Sequence, residues 1–206
     1  MAPEETSALL IIDMQNDFVL PDGPLRVAGA LETIPSIRSV LDRYRKEGRL
    51  VIHVTREHCP DGSDVEITRR ELFRKADGFL IPGTPGCEIV EALRPLSGER
   101  RIVKKRFSAF FQTRLDEALR RSRIHRLVLT GTQLPNCVRA TAVDGLSLDY
   151  SVIVLRDACS SQTPDIHEAN LWDLEALGIP CPTVERFLRE EMRQVAPFSE
   201  PFRGSR

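Results

Sequence analysis

The stretch GTQLPNCVRATA, residues 131 to 142, follows the apolar run RLVLT (126 to 130), and its reading decides how the rest of the chain is organised. A short apolar run, a turn-prone segment with Gly131 and Pro135, and then a helical segment describe a strand feeding a helix through a bend. The bend carries Cys137. At a helix N-terminus the first backbone N–H groups lack partners and the peptide dipole is positive, so a thiol there is expected to ionise more readily and an oxyanion beside it is stabilised. Alone, a cysteine such as Cys137 is more often a small buried hydrophobe than a nucleophile. Partners elsewhere in the chain decide between the two.

Outward from this point, short apolar runs alternate with longer amphipathic ones, the order of a parallel sheet covered by helices on both faces. Strands are expected at ALLIID (8 to 13), LVIHVT (50 to 55), RIVK (101 to 104), RLVLT (126 to 130) and SVIVL (151 to 155), with CPTV (181 to 184) as a weaker sixth. Leu31, Ile34, Ile37, Val40, Leu41 and Tyr44 recur at helical spacing and Gly48 ends that helix. Thr113 caps a helix carrying Leu115, Ala118 and Leu119, and Thr163 with Pro164 opens another that Gly178 closes. The segment from 56 to 86 is rich in Gly, Pro and charge and too long for a simple connection, so it is a candidate lid or subunit contact.

With 206 residues and 41% hydrophobic content, the chain suits a single domain, residues 1–206, with a full-sized core. A net charge of −1, from 29 basic and 30 acidic residues, gives no reason to expect nucleic acid or an anionic membrane as partner. The basic run RIVKKR (101 to 106) contains a strand and lacks interleaved aromatics, which argues against nucleic acid again. The N-terminus has no basic lead-in and no 18-residue apolar stretch occurs, so a cytoplasmic protein is expected. Five cysteines without CxxC spacing suit free thiols. No GxGxxG or GxxxxGK[ST] occurs, which removes the usual dinucleotide and P-loop readings.

Ligands of open parallel sheets bind beyond the carboxyl ends of the strands. Asp13 follows the first strand there, Lys104 and Lys105 the third, and the approach to Cys137 the fourth. Together these make a coherent set: Asp13 can accept the thiol proton and a lysine can stabilise both carboxylate and thiolate. Alternation sends Lys104 and Lys105 to opposite faces, so one of them joins the site.

The pieces ALLIIDMQNDF, KKRFSAF, LTGTQLPNCVRATAVDG and YSVIVLRDA, in this order from about Ser7 to about Phe187, resemble the isochorismatase-like cysteine hydrolases, a family that includes nicotinamidases and N-carbamoyl amidases. The resemblance implies a three-layer αβα, Rossmann-like fold with a mostly parallel sheet of about six strands. It implies a catalytic triad of Asp13, Lys104 and Cys137, hydrolysis through a thioester, and an oxyanion hole that includes the Cys137 N–H and a non-proline cis peptide at Thr132–Gln133. It also implies a homo-oligomer, dimer or tetramer, acting on a small molecule. The expected activity is cleavage of a C–N bond in a small amide, carbamoyl or ureido compound. The alternatives are a vinyl-ether hydrolase of the isochorismatase type, which works without a nucleophilic thiol, and a non-catalytic interaction subunit.

The chain departs from the family in two places. Where many members read GxxTNxCV, it has Leu134, Pro135 and Asn136 before Cys137. Where nicotinamidases carry an Asp-x-His metal segment, it has Glu57 and His58 out of that spacing, so no metal or other cofactor is expected. Phe18, Phe107 and Phe110 flank the motifs as candidate pocket walls. Arg56, Arg106 and Arg139 lie near the same edge, where surface or subunit salt bridging is favoured over a grip on a substrate carboxylate. His167 reads as a structural hydrogen-bonding residue.

Overall fold

The computed structural model describes the backbone of residues 6–195 and the side chains of residues 6–191. In chain order the strands and helices are β1 (Ser7–Ile12), α1 (Asn16–Val19), α2 (Ile34–Lys46), β2 (Leu50–Arg56), α3 (Arg70–Lys75), β3 (Arg100–Lys104), α4 (Leu115–Arg121), β4 (Arg126–Thr132), α5 (Arg139–Ser147), β5 (Ser151–Ser160), α6 (Pro164–Ala176) and α7 (Val184–Val195). The sheet is parallel throughout, in the order β3-β2-β1-β4-β5.

Alternation along the central strands sorts the core into two layers. Ala8, Leu10 and Ile12 of β1 and Leu127 and Leu129 of β4 meet Leu115, Leu119, Ala142, Leu171 and Leu174 of α4, α5 and α6. Leu9, Ile11 and Val128 face the other way, against Ile37, Val40, Leu41 and Tyr44 of α2 and Val184 and Phe187 of α7. Burial on both faces is why these strands read as continuous apolar runs. β3 is the exception, short and exposed over Arg100 and Arg101, and its charges suit an edge strand.

Among the described residues the sheet has five strands, not six. CPTV lies along β5, where the preceding Pro180 O accepts from Val154 N and its own Pro182 O accepts from Arg156 N, both at 3.0 Å. The return bond to the Val154 carbonyl would come from residue 182, and proline has no N–H to give. β5 in turn runs on to Ser160, past the expected end at residue 155, after a register shift opposite Leu129 and Gly131. Leu31, expected on the buried face of α2, sits in a preceding 3-10 turn and is 44% exposed. The segment from 57 to 86 forms turns, a 3-10 helix (Ile67–Arg69) and α3, and anchors itself through buried Val65, Phe73, Phe79 and Leu80.

Candidate active site

β1 ends at Ile12, and Asp13 turns away in the left-handed region at φ 53° while its N–H still bonds Val54 O at 2.8 Å. Aspartate tolerates that conformation better than most side chains. Lys104 closes β3 and is 1% exposed; its Nζ donates to Asp13 Oδ2 at 2.7 Å and to Arg106 O at 3.1 Å. Lys105 points outward and pairs with Asp64, 2.7 Å away, so the two lysines separate as alternation requires. Asp13 Oδ1 is buried and accepts no well-formed hydrogen bond.

Cys137 arrives from β4. Gly131, at φ 112°, packs so closely on β1 that a Cβ would lie 2.1 Å from Ile12 O, so only glycine fits. The peptide Thr132–Gln133 is cis, and Thr132 Oγ1 accepts from Ser160 Oγ at 2.7 Å. A wide turn, Leu134–Val138, follows and runs into α5; Gln133 O accepts from the N–H groups of Asn136 and Val138 on either side of Cys137. The Cys137 carbonyl accepts from Thr141 Oγ1 at 2.7 Å.

The thiol is 4% exposed, in charged surroundings. Burial pushes its pKa up, the Asp13 carboxylate close by pushes it further, and Lys104 and Arg56 pull it down without prevailing. Desolvation of the sulfur and the neighbouring carboxylate thus work against the easier ionisation expected at a helix terminus. Cys87, Cys159 and Cys181 are buried thiols with raised pKa values as well, and Cys59 is exposed.

Arg56 is the residue that sequence reasoning misjudged. It is fully buried, not a surface ion-pair former, and its guanidinium donates to Glu66 Oε1 at 2.7 Å and to Cys137 Sγ at 3.5 Å. Gln15 clamps its backbone, accepting from Arg56 N and donating to Arg56 O, each at 2.8 Å. Phe107 lies against Arg56, with the guanidinium carbon 5.0 Å from the ring centroid. Phe18 is instead part of the core on the α2 face, and Phe110 stacks on Tyr150. Arg106 donates to Asp64 O at 2.7 Å, Arg139 pairs with Asp173, and His167 bonds Ser161 and the Arg156 carbonyl.

The segment after β2 does not fit a metal. Glu57 turns to Arg101, and His58 is buried between the rings of Phe73 and Phe79. Among the described residues no three His, Cys, Asp or Glu side chains gather as a ligand set. A cavity of about 450 Å³, lined by Arg156, Pro180, Cys181 and Phe187 among others, lies beside β5 and does not include Cys137.

The family model for the isochorismatase domain matches residues 7–186. The chain belongs to the isochorismatase family. A probable inactive nicotinamidase of Arabidopsis thaliana is 42% identical over 187 residues, covering 89% of this chain and 95% of that protein. The ureidoacrylate amidohydrolase of Caulobacter vibrioides is 33% identical over 191 residues, covering 83% and 84%. The crystal structure of an isochorismatase family protein from Desulfovibrio vulgaris superposes with a TM-score of 0.88 at 50% identity, over 92% of this chain and 100% of that one. Amidohydrolases are thus among the relatives of this chain, and its parallel sheet between helices is the family fold. No helix among the described residues is long and apolar enough to cross a membrane.

Proposed function

We propose that the protein is a metal-independent cysteine hydrolase that cleaves the C–N bond of a small amide, carbamoyl or ureido compound. The observation that carries this reading is the meeting of a buried carboxylate, its 2.7 Å lysine partner and a buried thiol at the carboxyl edge of the sheet. Asp13 takes the Cys137 proton as the sulfur attacks the carbonyl carbon, then returns it to the departing nitrogen. Lys104 holds the Asp13 carboxylate in place for this transfer through a charged hydrogen bond. The Cys137 N–H and an N–H of the Thr132–Gln133 loop hold the tetrahedral oxyanion. Water then hydrolyses the thioester, and the working form is a cytoplasmic homo-oligomer, which light scattering checks.

The experiment is an ammonia-release screen over small amides, ureas and carbamoyl acids, with Cys137→Ala alongside. Activity in at least one class, abolished in the variant, is expected; equal release by both proteins removes the proposal. A second reading, a non-catalytic family member, is favoured by the name of the Arabidopsis relative, a probable inactive nicotinamidase. It predicts no release above background from any compound. Unchanged turnover after complete blocking of the thiol would point instead to vinyl-ether chemistry.

A further inference from the structure

We infer that Arg56 is a fourth catalytic residue, whose guanidinium takes up the negative charge that appears on Cys137 Sγ as Asp13 receives the thiol proton. The inference rests on the cysteine-hydrolase reading above and deepens it. Arg56 and Lys104 are register partners on β2 and β3, so two cations stand side by side on one face of the sheet. Each has its own anion, Asp13 for Lys104 and Glu66 for Arg56, both at 2.7 Å. The pair therefore divides the work of one proton transfer. Before it, the negative charge is on the Asp13 carboxylate, against Lys104. In the transfer the S–H bond breaks, an O–H bond forms on Asp13, and the electron pair stays on sulfur. The cation in contact with that sulfur is Arg56, its Nη2 3.5 Å away.

Arg56 remains protonated throughout, because Cys137, Asp13 and Glu66 together outweigh the opposing effect of burial. Its Nε is buried and unpartnered, so the guanidinium has donor capacity left. The charged groups bearing on Sγ are Asp13 after β1, Arg56 at the end of β2 and Lys104 at the end of β3. Glu66 is in contact with the far side of the Arg56 guanidinium. His58 and Asp64 stand behind it, with His58 Nε2 3.9 Å from Glu66 and Nδ1 3.3 Å from Asp64. Gln15, which bonds both the N–H and the carbonyl of Arg56, is the positioning residue for this cation.

The test is the rate of Cys137 alkylation by iodoacetamide as a function of pH, followed by peptide mass mapping on the full chain. Arg56→Met should raise the midpoint of the profile by about one pH unit, a tenfold slower reaction below the midpoint, and Arg56→Lys should recover most of it. Glu66→Gln should lower the midpoint by a similar amount, because it frees Arg56 from its counter-charge. A merely structural Arg56 would change access, and so the plateau rate, without moving midpoints in opposite directions. Midpoints within about 0.3 unit of wild type, or shifts of the same sign in both variants, overturn the inference. If Arg56→Met does not fold, Glu66→Gln and Arg56→Lys decide. The measurement needs no substrate, so opposite shifts with no ammonia release would sink the hydrolase reading alone, and ammonia release with static midpoints would sink the role of Arg56 alone.

Discussion

The sheet has a buried polar cluster at each end, and the two are built on different terms. At the amino end, Ser7, Tyr44, Arg49 and Glu191 close on one another: Tyr44 Oη lies 2.7 Å from Ser7 Oγ, and Arg49 donates to Tyr44 Oη at 3.0 Å and to both Glu191 oxygens at 2.7 and 2.9 Å. The guanidinium also lies 3.9 Å from the Tyr44 ring centroid. At the carboxyl end, around Asp13, Arg56 and Lys104, two buried polar atoms make no well-formed hydrogen bond: Asp13 Oδ1 and Arg56 Nε. Unmet polar groups cost stability wherever they are buried. A cluster that satisfies itself holds helices to strands; on the proposed hydrolase reading, the unmet atoms beside Cys137 are left for a reacting molecule.

The comparison breaks first at the carboxyl end. Asp13→Asn, near in shape but unable to accept the thiol proton, should lower kcat/KM by about a thousandfold on whichever amide the screen identifies. Steady-state kinetics check this, and a loss of less than about tenfold would leave proton acceptance to another group. At the amino end the expected losses are of stability, not activity. Arg49→Ala leaves Glu191 and the Tyr44 hydroxyl without their donor and should cost about 2 kcal/mol in urea unfolding, with kcat unchanged. Tyr44→Phe removes only the hydroxyl and should cost about 1 kcal/mol.

Acidification acts on both halves of the sheet. Burial holds the pKa of His53 and of His58 below 6.5 despite the acidic partners of each, Glu99 for one and Glu66 with Asp64 for the other. The unfolded chain therefore binds protons that the folded chain refuses. Their contribution is complete above pH 6.5 and is lost as pH falls from there through the lower folded values. The melting temperature should decline from pH 7 to pH 5, and a flat profile would mean that both rings are solvated. The smallest effect belongs to Lys105→Met: its pair with Asp64 is half exposed, and stability should stay within about 0.5 kcal/mol of wild type.

The sequence made some of this legible because some signals are local. Central strands buried on both faces are continuous apolar runs, and Asp13 just beyond β1 and Lys104 as the last residue of the edge strand β3 are placed by the strand ends alone. The failures are non-local. A sixth strand looked plausible from CPTV, but what matters is which N–H groups face β5, and Pro180 and Pro182 have none to offer. Arg56 looked like one more surface arginine because its anion, Glu66, lies ten residues on in an irregular segment, and nothing local says that both are buried. The setting of the thiol is non-local too, since a helix terminus can be read from sequence while the desolvation that works against it cannot.

The most direct test of the account is to titrate activity against Cys137. Stepwise alkylation of a Cys59→Ser variant, which removes the one exposed thiol, is followed by peptide mapping and ammonia release on the same samples. Activity should fall in proportion to the fraction of Cys137 modified and reach background when that thiol is fully labelled. Turnover that persists with Cys137 completely blocked would contradict the assignment of the sulfur as nucleophile.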